Sequence, residues 1–241
     1  MSAGEAILNL LFPPKCAFCG ALIDSDSATG AAGTPPDVPG GPPPGHRDDG
    51  LCPACRASLP YPSGKGELRT VGGFPCAVAL RYEAMVRQGV LALKFHDHPQ
   101  RARVFARYLA RAAAEQFPGG FDTVTFVPVN LWRNYRRGYD QARLLAEEAG
   151  KLWGVSAVPT LRKIRNNRPQ SSVKTAAERR ANVADAYIVP RPEEVRGRRF
   201  LLVDDVLTTG STMAACARCL MEAGAASVVC AVLAGSGKQA P

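Results

Sequence analysis

Residues 200–213 constrain the fold more than any other stretch, because they read as a buried strand, two carboxylates, a hydroxyl-rich turn and a helix. Residues 200–203 are a continuous apolar run, as expected for a parallel strand that is buried on both faces. Asp204 and Asp205 follow where that strand is expected to end. The turn after them is made of small and hydroxyl-bearing residues, namely Thr208, Thr209, Gly210, Ser211 and Thr212. Residues 213–220 have helical character.

A strand, a hydroxyl-and-glycine turn and a helix N-terminus together form a phosphate cradle, because N–H groups, hydroxyls and the helix dipole converge on an anion. Asp204 and Asp205 would repel the phosphate itself. They are well placed to accept hydrogen bonds from the hydroxyls of an attached sugar, or to hold a cation that bridges to it. The alternative is an ordinary strand–turn–helix with Thr212 as the N-cap. The two adjacent carboxylates favour the sugar-phosphate site.

The length and the net charge limit the number of domains and the kinds of ligand that this chain is expected to have. The 241 residues can hold one α/β domain and a small appendage. No apolar run approaches the roughly 20 residues of a membrane span, and residues 1–12 lack the basic start of a signal peptide, so we expect a cytoplasmic protein. The net charge of +9 suits a polyanionic ligand, either a polyphosphorylated sugar or nucleic acid, although solvated basic loops give the same composition.

Two Cys-x-x-Cys pairs near the N-terminus predict a metal site. Its expected ligands are Cys16, Cys19, Cys52 and Cys55. Two such pairs complete a closed tetrahedral Cys₄ zinc site of the structural kind, the alternative being unliganded thiols. Residues 24–50, between the pairs, are rich in Gly, Pro, Ser and Asp, which predicts a disordered insertion. A third such pair, Cys216 and Cys219, lies on a predicted helix, where buried packing thiols are expected.

Periodicity predicts a doubly wound, mostly parallel α/β sheet with a small N-terminal zinc module. Residues 60–73 have linker composition, so we expect a zinc-binding module over residues 1–65 and the α/β domain over residues 66–241. The predicted elements are strands over 75–82, 121–129, 157–161, 186–189 and 227–233, and helices over 6–12, 85–95, 101–117, 142–152 and 175–182.

Two basic segments are expected near the phosphate cradle, because ligands bind at the carboxyl ends of parallel strands. Residues 130–141 follow a predicted strand and contain Arg133, Arg136 and Arg137, which suit a pyrophosphate or nucleic acid. A solvated surface turn is the alternative for this loop. Residues 162–172 are polar and basic without apolar periodicity, which favours a mobile lid over a charged substrate.

The order apolar strand, Asp204-Asp205, Thr208-Thr209-Gly210-Ser211-Thr212 resembles the phosphoribosyl pyrophosphate (PRPP) signature of type I phosphoribosyltransferases. The resemblance implies that the two aspartates hold the ribose hydroxyls and that the loop from Thr208 to Thr212 holds the 5′-phosphate. It also implies Mg²⁺ bound together with PRPP.

Taken whole, the chain resembles the ComF family. The residues that carry this resemblance are the two cysteine pairs, Leu93-Lys94-Phe95, Val127-Pro128-Val129, Arg137-Gly138-Tyr139-Asp140-Gln141, Gln170, Arg180, Asn182 and the signature. The family usually has Asn where this chain has Asp140. The resemblance implies a phosphoribosyltransferase fold and a role in DNA uptake during natural transformation.

Two functions of different classes follow. The first is an enzyme that binds Mg²⁺-PRPP and transfers its phosphoribosyl group, as in nucleoside metabolism, with Asp204, Asp205 and Arg137 as the expected catalytic residues. The second is a single-stranded DNA-binding competence factor that keeps the fold and uses PRPP only as a ligand, binding DNA by charge and by stacking on Trp132 and Tyr135. The sequence identifies no acceptor pocket.

Overall fold

The computed structural model describes residues 13–23, 50–61, 66–95, 100–129, 139–164 and 186–237. The elements in chain order are α1 (Pro53–Ala57), β1 (Glu67–Val71), β2 (Phe74–Arg81), α2 (Ala84–Phe95), α3 (Arg101–Gln116), β3 (Thr123–Phe126), α4 (Gln141–Trp153), β4 (Arg162–Lys163), β5 (Tyr187–Ile188), β6 (Arg199–Leu207), α5 (Ser211–Glu222) and β7 (Ser227–Gly235).

A five-stranded sheet of order β1-β2-β7-β6-β3 forms the centre of the molecule. The pairs β2–β7, β7–β6 and β6–β3 are parallel, and β1 adds an antiparallel strand at one edge. The central strands are apolar on both faces because helices cover both faces. All four parallel strands end at the same edge of the sheet, so the loops after β3 and β6 lie on that side.

The two faces of the sheet have separate cores. On one face α2, α3 and α4 bury large side chains against Leu201 and Val203 of β6. On the other face α5 packs against Phe200 and Leu202 of the same strand. Because neighbouring strand residues point to opposite faces, residues 200–203 of β6 alternate between the two cores. The prediction of a doubly wound, mostly parallel α/β sheet is confirmed.

The predicted helices over 85–95, 101–117 and 142–152 are confirmed as α2, α3 and α4 within one residue at each end. Asp140 is the N-cap of α4, and its side chain accepts from the Arg143 backbone N–H. Gly154 is the C-cap and has a left-handed φ of 68°. Both ends therefore follow from local capping chemistry that is readable in the sequence.

The linker prediction for residues 60–73 is wrong, because β1 lies inside it. Charged residues interrupt the apolar alternation by which a strand is recognised in the sequence. Arg69 points inward and is only 9% exposed. Its guanidinium donates to both carboxylate oxygens of Glu67 and to the carbonyl oxygens of Ser236 and Gly237. The strand is thus stabilised by partners 167 and 168 residues away in sequence.

Three other boundaries also differ from prediction. The strand expected over 121–129 is shorter, since β3 covers Thr123–Phe126. The strand expected over 157–161 is a single bridge between Ala157 and Val124. The start of the expected lid is ordered instead, because β4 pairs with β5 in a two-stranded sheet. The helices expected over 6–12 and 175–182, most of the 24–50 insertion and lid residues 165–172 lie outside the described residues.

Within the described ranges, no helix combines the length and the apolar character that crossing a bilayer requires.

Candidate functional site

The strand that carries Asp204 and Asp205 is longer than its apolar run suggests. β6 continues through both aspartates to Leu207, because its ladder with β7 continues from Asp204 opposite Val232 to Leu207 opposite Gly235. The expectation that the strand ends at residue 203 is therefore wrong. As consecutive strand residues, the two carboxylates leave the backbone on opposite faces of the sheet.

Asp205 faces α2, on the side of the α2–α4 core, and is 8% exposed. The Lys94 ammonium lies 2.7 Å from Asp205 Oδ2. Lys94 is in the last turn of α2, where a cation also complements the helix dipole. Asp205 is thereby a nearly buried carboxylate with a cationic partner.

Asp204 is partly buried. After burial, its charge raises the pKa of the Cys216 thiol in α5, so Asp204 lies on the α5 side of the strand. Its Oδ1 accepts a hydrogen bond of 2.8 Å from the Asp205 backbone N–H. Burial, followed by the charge of Asp205, raises the pKa of Asp204 to about 8. The raised pKa favours the protonated form of Asp204 in the ligand-free protein. Groups that donate hydrogen bonds to it would favour its ionised form.

The hydroxyl-rich turn joins β6 to α5 at the carboxyl edge of the sheet. Thr208 and Thr209 are exposed, and the Thr209 and Ser211 hydroxyl oxygens lie 2.6 Å apart. Gly210, rather than Thr212, occupies the N-cap of α5 and has φ of 72°. Gly210 has no side chain with which to accept from the first-turn N–H groups, so these donors face the turn. Thr212 lies in that first turn.

Position 210 requires glycine for two reasons, its backbone conformation and the close approach of a neighbouring side chain. Its φ lies in the left-handed region, which is costly for residues with a Cβ. A Cβ at this position would also lie 2.4 Å from Cγ1 of Val71. β1, which ends at Val71, therefore packs directly against the turn.

Asp140 lies close to the two aspartates of β6 and acts as a cap. Its carboxylate accepts from the backbone N–H groups of Val129 at 3.3 Å and Arg143 at 3.1 Å. Burial raises the pKa of Asp140, and the charge of Asp205 adds to this. An Asn side-chain oxygen could accept the same hydrogen bonds, so the replacement of the family's Asn keeps this capping function.

Arg137 and the rest of residues 130–138 lie outside the described residues. The neighbouring Tyr139 is described, and its hydroxyl donates to the Leu93 carbonyl oxygen at the end of α2. This bond ties the start of α4 to the helix that carries Lys94.

The four predicted cysteine ligands form one cluster. The sulfur atoms of Cys16, Cys19, Cys52 and Cys55 all lie within 4.8 Å of one another. The Cys19 and Cys52 sulfurs are 3.7 Å apart. Tetrahedral zinc with Zn–S bonds of about 2.3 Å would require a sulfur separation of about 3.8 Å. The cluster therefore has the donor set and spacing to hold a metal ion.

Backbone hydrogen bonds shape both cysteine pairs. The first pair sits in a tight turn in which the Gly20 N–H donates to the Cys16 carbonyl oxygen at 2.9 Å. In the second pair Cys52 caps α1, and its sulfur accepts from the Cys55 N–H at 3.4 Å. The Ala17 N–H donates to the Gly50 carbonyl oxygen at 2.9 Å, which joins the pairs across the 24–50 insertion.

The electrostatics of the cluster also favour a cation. Burial, followed by the neighbouring cysteine side chains, raises the pKa of Cys55 well above its ordinary value. Burial opposes ionisation of Cys16 too, but nearby backbone N–H groups, led by that of Cys52, lower its pKa to about 7. Four thiolates this close repel one another unless a metal ion neutralises them.

Cys216 and Cys219 behave differently from these four. Cys216 is fully buried in the core between α5 and the sheet. The Cys219 thiol donates to the Tyr187 carbonyl oxygen at 3.6 Å. They are packing residues of α5, as the helix prediction expected.

Three residues at the site had no role assigned from sequence. Lys94 belongs to the Leu93-Lys94-Phe95 motif, but nothing local connects it with an aspartate 111 positions later. Val71 and Tyr139 contact the site through the tertiary fold. The one available signal was Lys94 itself, a cation that directly follows the apolar face of α2.

Comparisons with known proteins agree with this architecture. A family profile described as "Phosphoribosyl transferase domain" matches residues 93–241, more than half of the chain. DNA utilization protein YhgH of Salmonella typhimurium is 29% identical over 199 residues, which cover 74% of this chain and 81% of that protein.

Two further relatives match over shorter segments. DNA utilization protein YhgH of Escherichia coli strain K12 is 33% identical over 147 residues, covering 56% of this chain and 61% of that protein. Competence protein ComFC of Bacillus subtilis is 28% identical over 148 residues, covering 61% of this chain and 58% of that protein. The chain thus spans less than two thirds of the length of these two relatives. From the matching domain, the Cys₄ cluster and these relatives, the chain belongs to the phosphoribosyl transferase domain family and, within it, to the ComF family.

Proposed function

We propose that this chain binds Mg²⁺-PRPP at the carboxyl edge of its sheet and works as a phosphoribosyltransferase in DNA uptake or utilization, in the cytoplasm. The observation that carries the proposal is the pair Asp204 and Asp205 beside the turn from Thr208 to Thr212. Carboxylates suit a polyol, and a hydroxyl-rich helix N-terminus suits a phosphate, so the pair and the turn together suit a sugar phosphate. The relatives' names, which mention DNA utilization and competence, support the biological role.

Each part of PRPP has a matching group in the proposal. The 5′-phosphate accepts from the Thr208, Thr209, Ser211 and Thr212 hydroxyls and from N–H groups at Gly210 and the start of α5. The 2′- and 3′-hydroxyls of the ribose donate to Asp204 and Asp205. The pyrophosphate is assigned to Arg137 and its neighbouring arginines, because fixed cations stabilise a leaving polyanion.

The reaction breaks the bond from C1 of the ribose to the pyrophosphate oxygen and forms a bond from C1 to an acceptor nucleophile, which gives up a proton. The transition state resembles an oxocarbenium ion, so positioning and charge stabilisation account for most of the catalysis. The oxygen donors at this edge fit Mg²⁺, which when bound with PRPP would neutralise pyrophosphate charge.

The cysteine cluster is proposed to hold a structural Zn²⁺. Four thiolates leave no open coordination position, so this ion would take no part in the transfer. Its proposed role is to fix the segment of residues 13–23 and 50–61 against α2 and α3.

The test is calorimetric titration of zinc-loaded protein with Mg²⁺-PRPP. We expect the wild type to bind and Asp204→Asn/Asp205→Asn to lose about 100-fold or more in affinity, since two charge-assisted hydrogen bonds are removed. Asp122→Asn is the matched control, because Asp122 is 46% exposed and pairs with Arg199 away from the turn. Wild-type protein that is folded and does not bind would contradict the proposal.

A binding wild type is then screened for pyrophosphate release with nucleobases and amines as acceptors. Release above the rate of hydrolysis identifies the acceptor class. Binding of PRPP without release for any acceptor would favour the second candidate function, a DNA-binding factor with PRPP as a ligand.

That second candidate is supported by the net charge of +9 and by the relatives' names. Its test is the affinity for single-stranded DNA as a function of salt. A phosphate-driven interface gives log affinity that falls steeply with log salt, by about 0.7 per phosphate contacted. A flat dependence would exclude it.

A further inference from the structure

Lys94 is the cation that, within the described part of the chain, forms an ion pair with Asp205. Its ammonium lies 2.7 Å from Asp205 Oδ2, and the side chains of Lys94 and Asp205 are 21% and 12% exposed. Asp204 and Asp140 lie near enough to act electrostatically on one another, and Lys94 partly offsets the charge of Asp204. Such a shielded ion pair has a stronger and more directional interaction than a pair at an open surface.

The backbone of α2 is fixed near Lys94. The Leu93 carbonyl oxygen accepts from the Tyr139 hydroxyl, and the Leu93 side chain is fully buried. Five residues before Lys94, a Cβ on Gly89 would lie 3.0 Å from both Phe18 and Phe105, so the helix packs closely there. α2 therefore presents Lys94 from a rigid support, as positioning of a ligand group requires.

Among the residues that the structure describes, the ion pair engages one carboxylate oxygen of Asp205 and leaves the other for a ligand. Lys94 contacts Oδ2 of Asp205, so that oxygen and the side-chain rotamer are held. An ionised carboxylate accepts more than one hydrogen bond, and Oδ1 of Asp205 can accept from a ribose hydroxyl at the same time. The phosphate end of the ligand is recognised elsewhere, by the turn from Thr208 to Thr212.

We propose that Lys94 is a positioning residue of the PRPP site, which holds Oδ2 of Asp205 so that Oδ1 is presented to a ribose hydroxyl. The inference rests on the proposed function and adds one residue to it. It predicts that replacing Lys94 weakens ligand binding only when Asp205 is present and the ligand contains the sugar. Binding of a ligand that has only a phosphate should not change.

The experiment is calorimetric titration of the full zinc-loaded chain with Mg²⁺-PRPP, ribose 5-phosphate and inorganic phosphate. Lys94→Gln should weaken binding of the first two ligands about tenfold, as expected for loss of a charged hydrogen-bond partner. Its affinity for inorganic phosphate should stay within about twofold of wild type. Lys94→Arg should recover most of the loss, because it restores the charge. Lys151→Gln is the control, since Lys151 is 68% exposed and pairs with Glu148 on α4.

A double-mutant cycle separates positioning from a purely structural role. In the Asp205→Asn background, Lys94→Gln should cause no further loss of affinity for ribose 5-phosphate, because the group that Lys94 positions is already neutral. Additive losses would overturn the inference, and so would an equal loss for all three ligands. Lys94→Met, which keeps an unbranched side chain without the charge, replaces Lys94→Gln if the latter does not fold.

The failures of the two proposals are distinguishable. If wild-type protein is folded and binds none of the sugar ligands, the proposed function fails and this inference fails with it. If wild-type protein binds Mg²⁺-PRPP and Lys94→Gln binds it equally well, only the role of Lys94 is overturned.

Discussion

Phe18 of the first cysteine pair packs against Phe105 of α3, with ring centroids 4.9 Å apart and planes inclined by 44°. Both side chains are fully buried in the core that includes α2, α3 and α4. The cysteine cluster is therefore continuous with the core of the sheet domain on this face. Arg101 strengthens the connection, since its guanidinium donates to the Ala17 carbonyl oxygen at 2.6 Å.

Phe18→Ala should destabilise the whole protein. Removing a fully buried aromatic side chain costs about 3–5 kcal/mol of the free energy of unfolding. Urea unfolding followed by tryptophan fluorescence measures the change. Leu22→Ala is the control in the same segment, because Leu22 is 58% exposed and its loss should change stability by about 0.5 kcal/mol or less. Equal effects of both substitutions would contradict the packing.

Cys52→Ser should remove the metal and the stability that it contributes. The sulfur of Cys52 lies 3.7 Å from that of Cys19, and its loss leaves three thiols for a site that needs four. Bound metal stabilises the folded state by about 4 kcal/mol when its free concentration is a thousand times the Kd. Elemental analysis after dialysis, together with thermal unfolding, measures both effects.

The control for Cys52→Ser is Cys219→Ser, since Cys219 lies outside the cluster and its thiol donates a hydrogen bond to the Tyr187 carbonyl oxygen. This variant should keep the metal content of the wild type. Metal loss from both variants, or from neither, would show that the cluster is not the metal site.

Gly210→Ala should damage the turn more than a backbone penalty alone explains. A residue with a Cβ costs about 1–2 kcal/mol in the left-handed region, and overpacking against Val71 adds about 1–3 kcal/mol. Gly119→Ala is matched to it, because Gly119 has φ of 64° and a Cβ there meets nothing within 4 Å. Unfolding free energies of the two variants give the packing contribution by difference.

Affinity for Mg²⁺-PRPP should fall in Gly210→Ala and stay unchanged in Gly119→Ala. Val71→Ala added to Gly210→Ala should recover part of the lost stability, because it removes the side chain that the new Cβ meets. A double variant no more stable than Gly210→Ala would contradict the assigned clash.

The free energy of unfolding should fall as the pH rises from about 4 to about 8, because Asp204 loses its proton at a higher pH in the folded state than in the unfolded state. Burial and Asp205 raise the pKa of Asp204 to about 8 in the folded protein, whereas an unfolded Asp titrates near about 4. Between these values the folded state holds one more proton, so raising the pH favours unfolding. Asp204→Asn should flatten this dependence. The measurement is the urea unfolding free energy at a series of pH values.

Asp122→Asn is the control for that pH series, because the pKa of Asp122 is shifted in the opposite direction from that of Asp204. Burial opposes the shift, but hydrogen bonds from Thr123 and Arg199 outweigh it and lower the pKa of Asp122. Its contribution is present above its unfolded pKa and is lost only in acid, so this substitution should not alter the slope between about pH 5 and 8. An unchanged slope in Asp204→Asn would contradict the assignment to Asp204.

The helices were the most predictable elements, since their signals are local. The apolar spacing of α3 and the Asp140 and Gly154 caps of α4 can be read from consecutive residues. β1 could not be predicted in the same way. Arg69 in that strand is buried because Glu67 and two carbonyl oxygens near the end of β7 accept its hydrogen bonds.

The sequence by itself determined the chemistry of this protein: the four cysteines in two spaced pairs, the two aspartates after an apolar strand and the hydroxyl-rich turn around Gly210. These features depend on residue type and short spacing, which folding does not change. Only the tertiary structure decided that Asp204 and Asp205 leave the strand on opposite faces, because the ladder with β7 continues past them. It alone brought Lys94 to Asp205 and Phe18 to Phe105, since contacts between distant segments depend on how helices pack on the sheet, which no local pattern encodes.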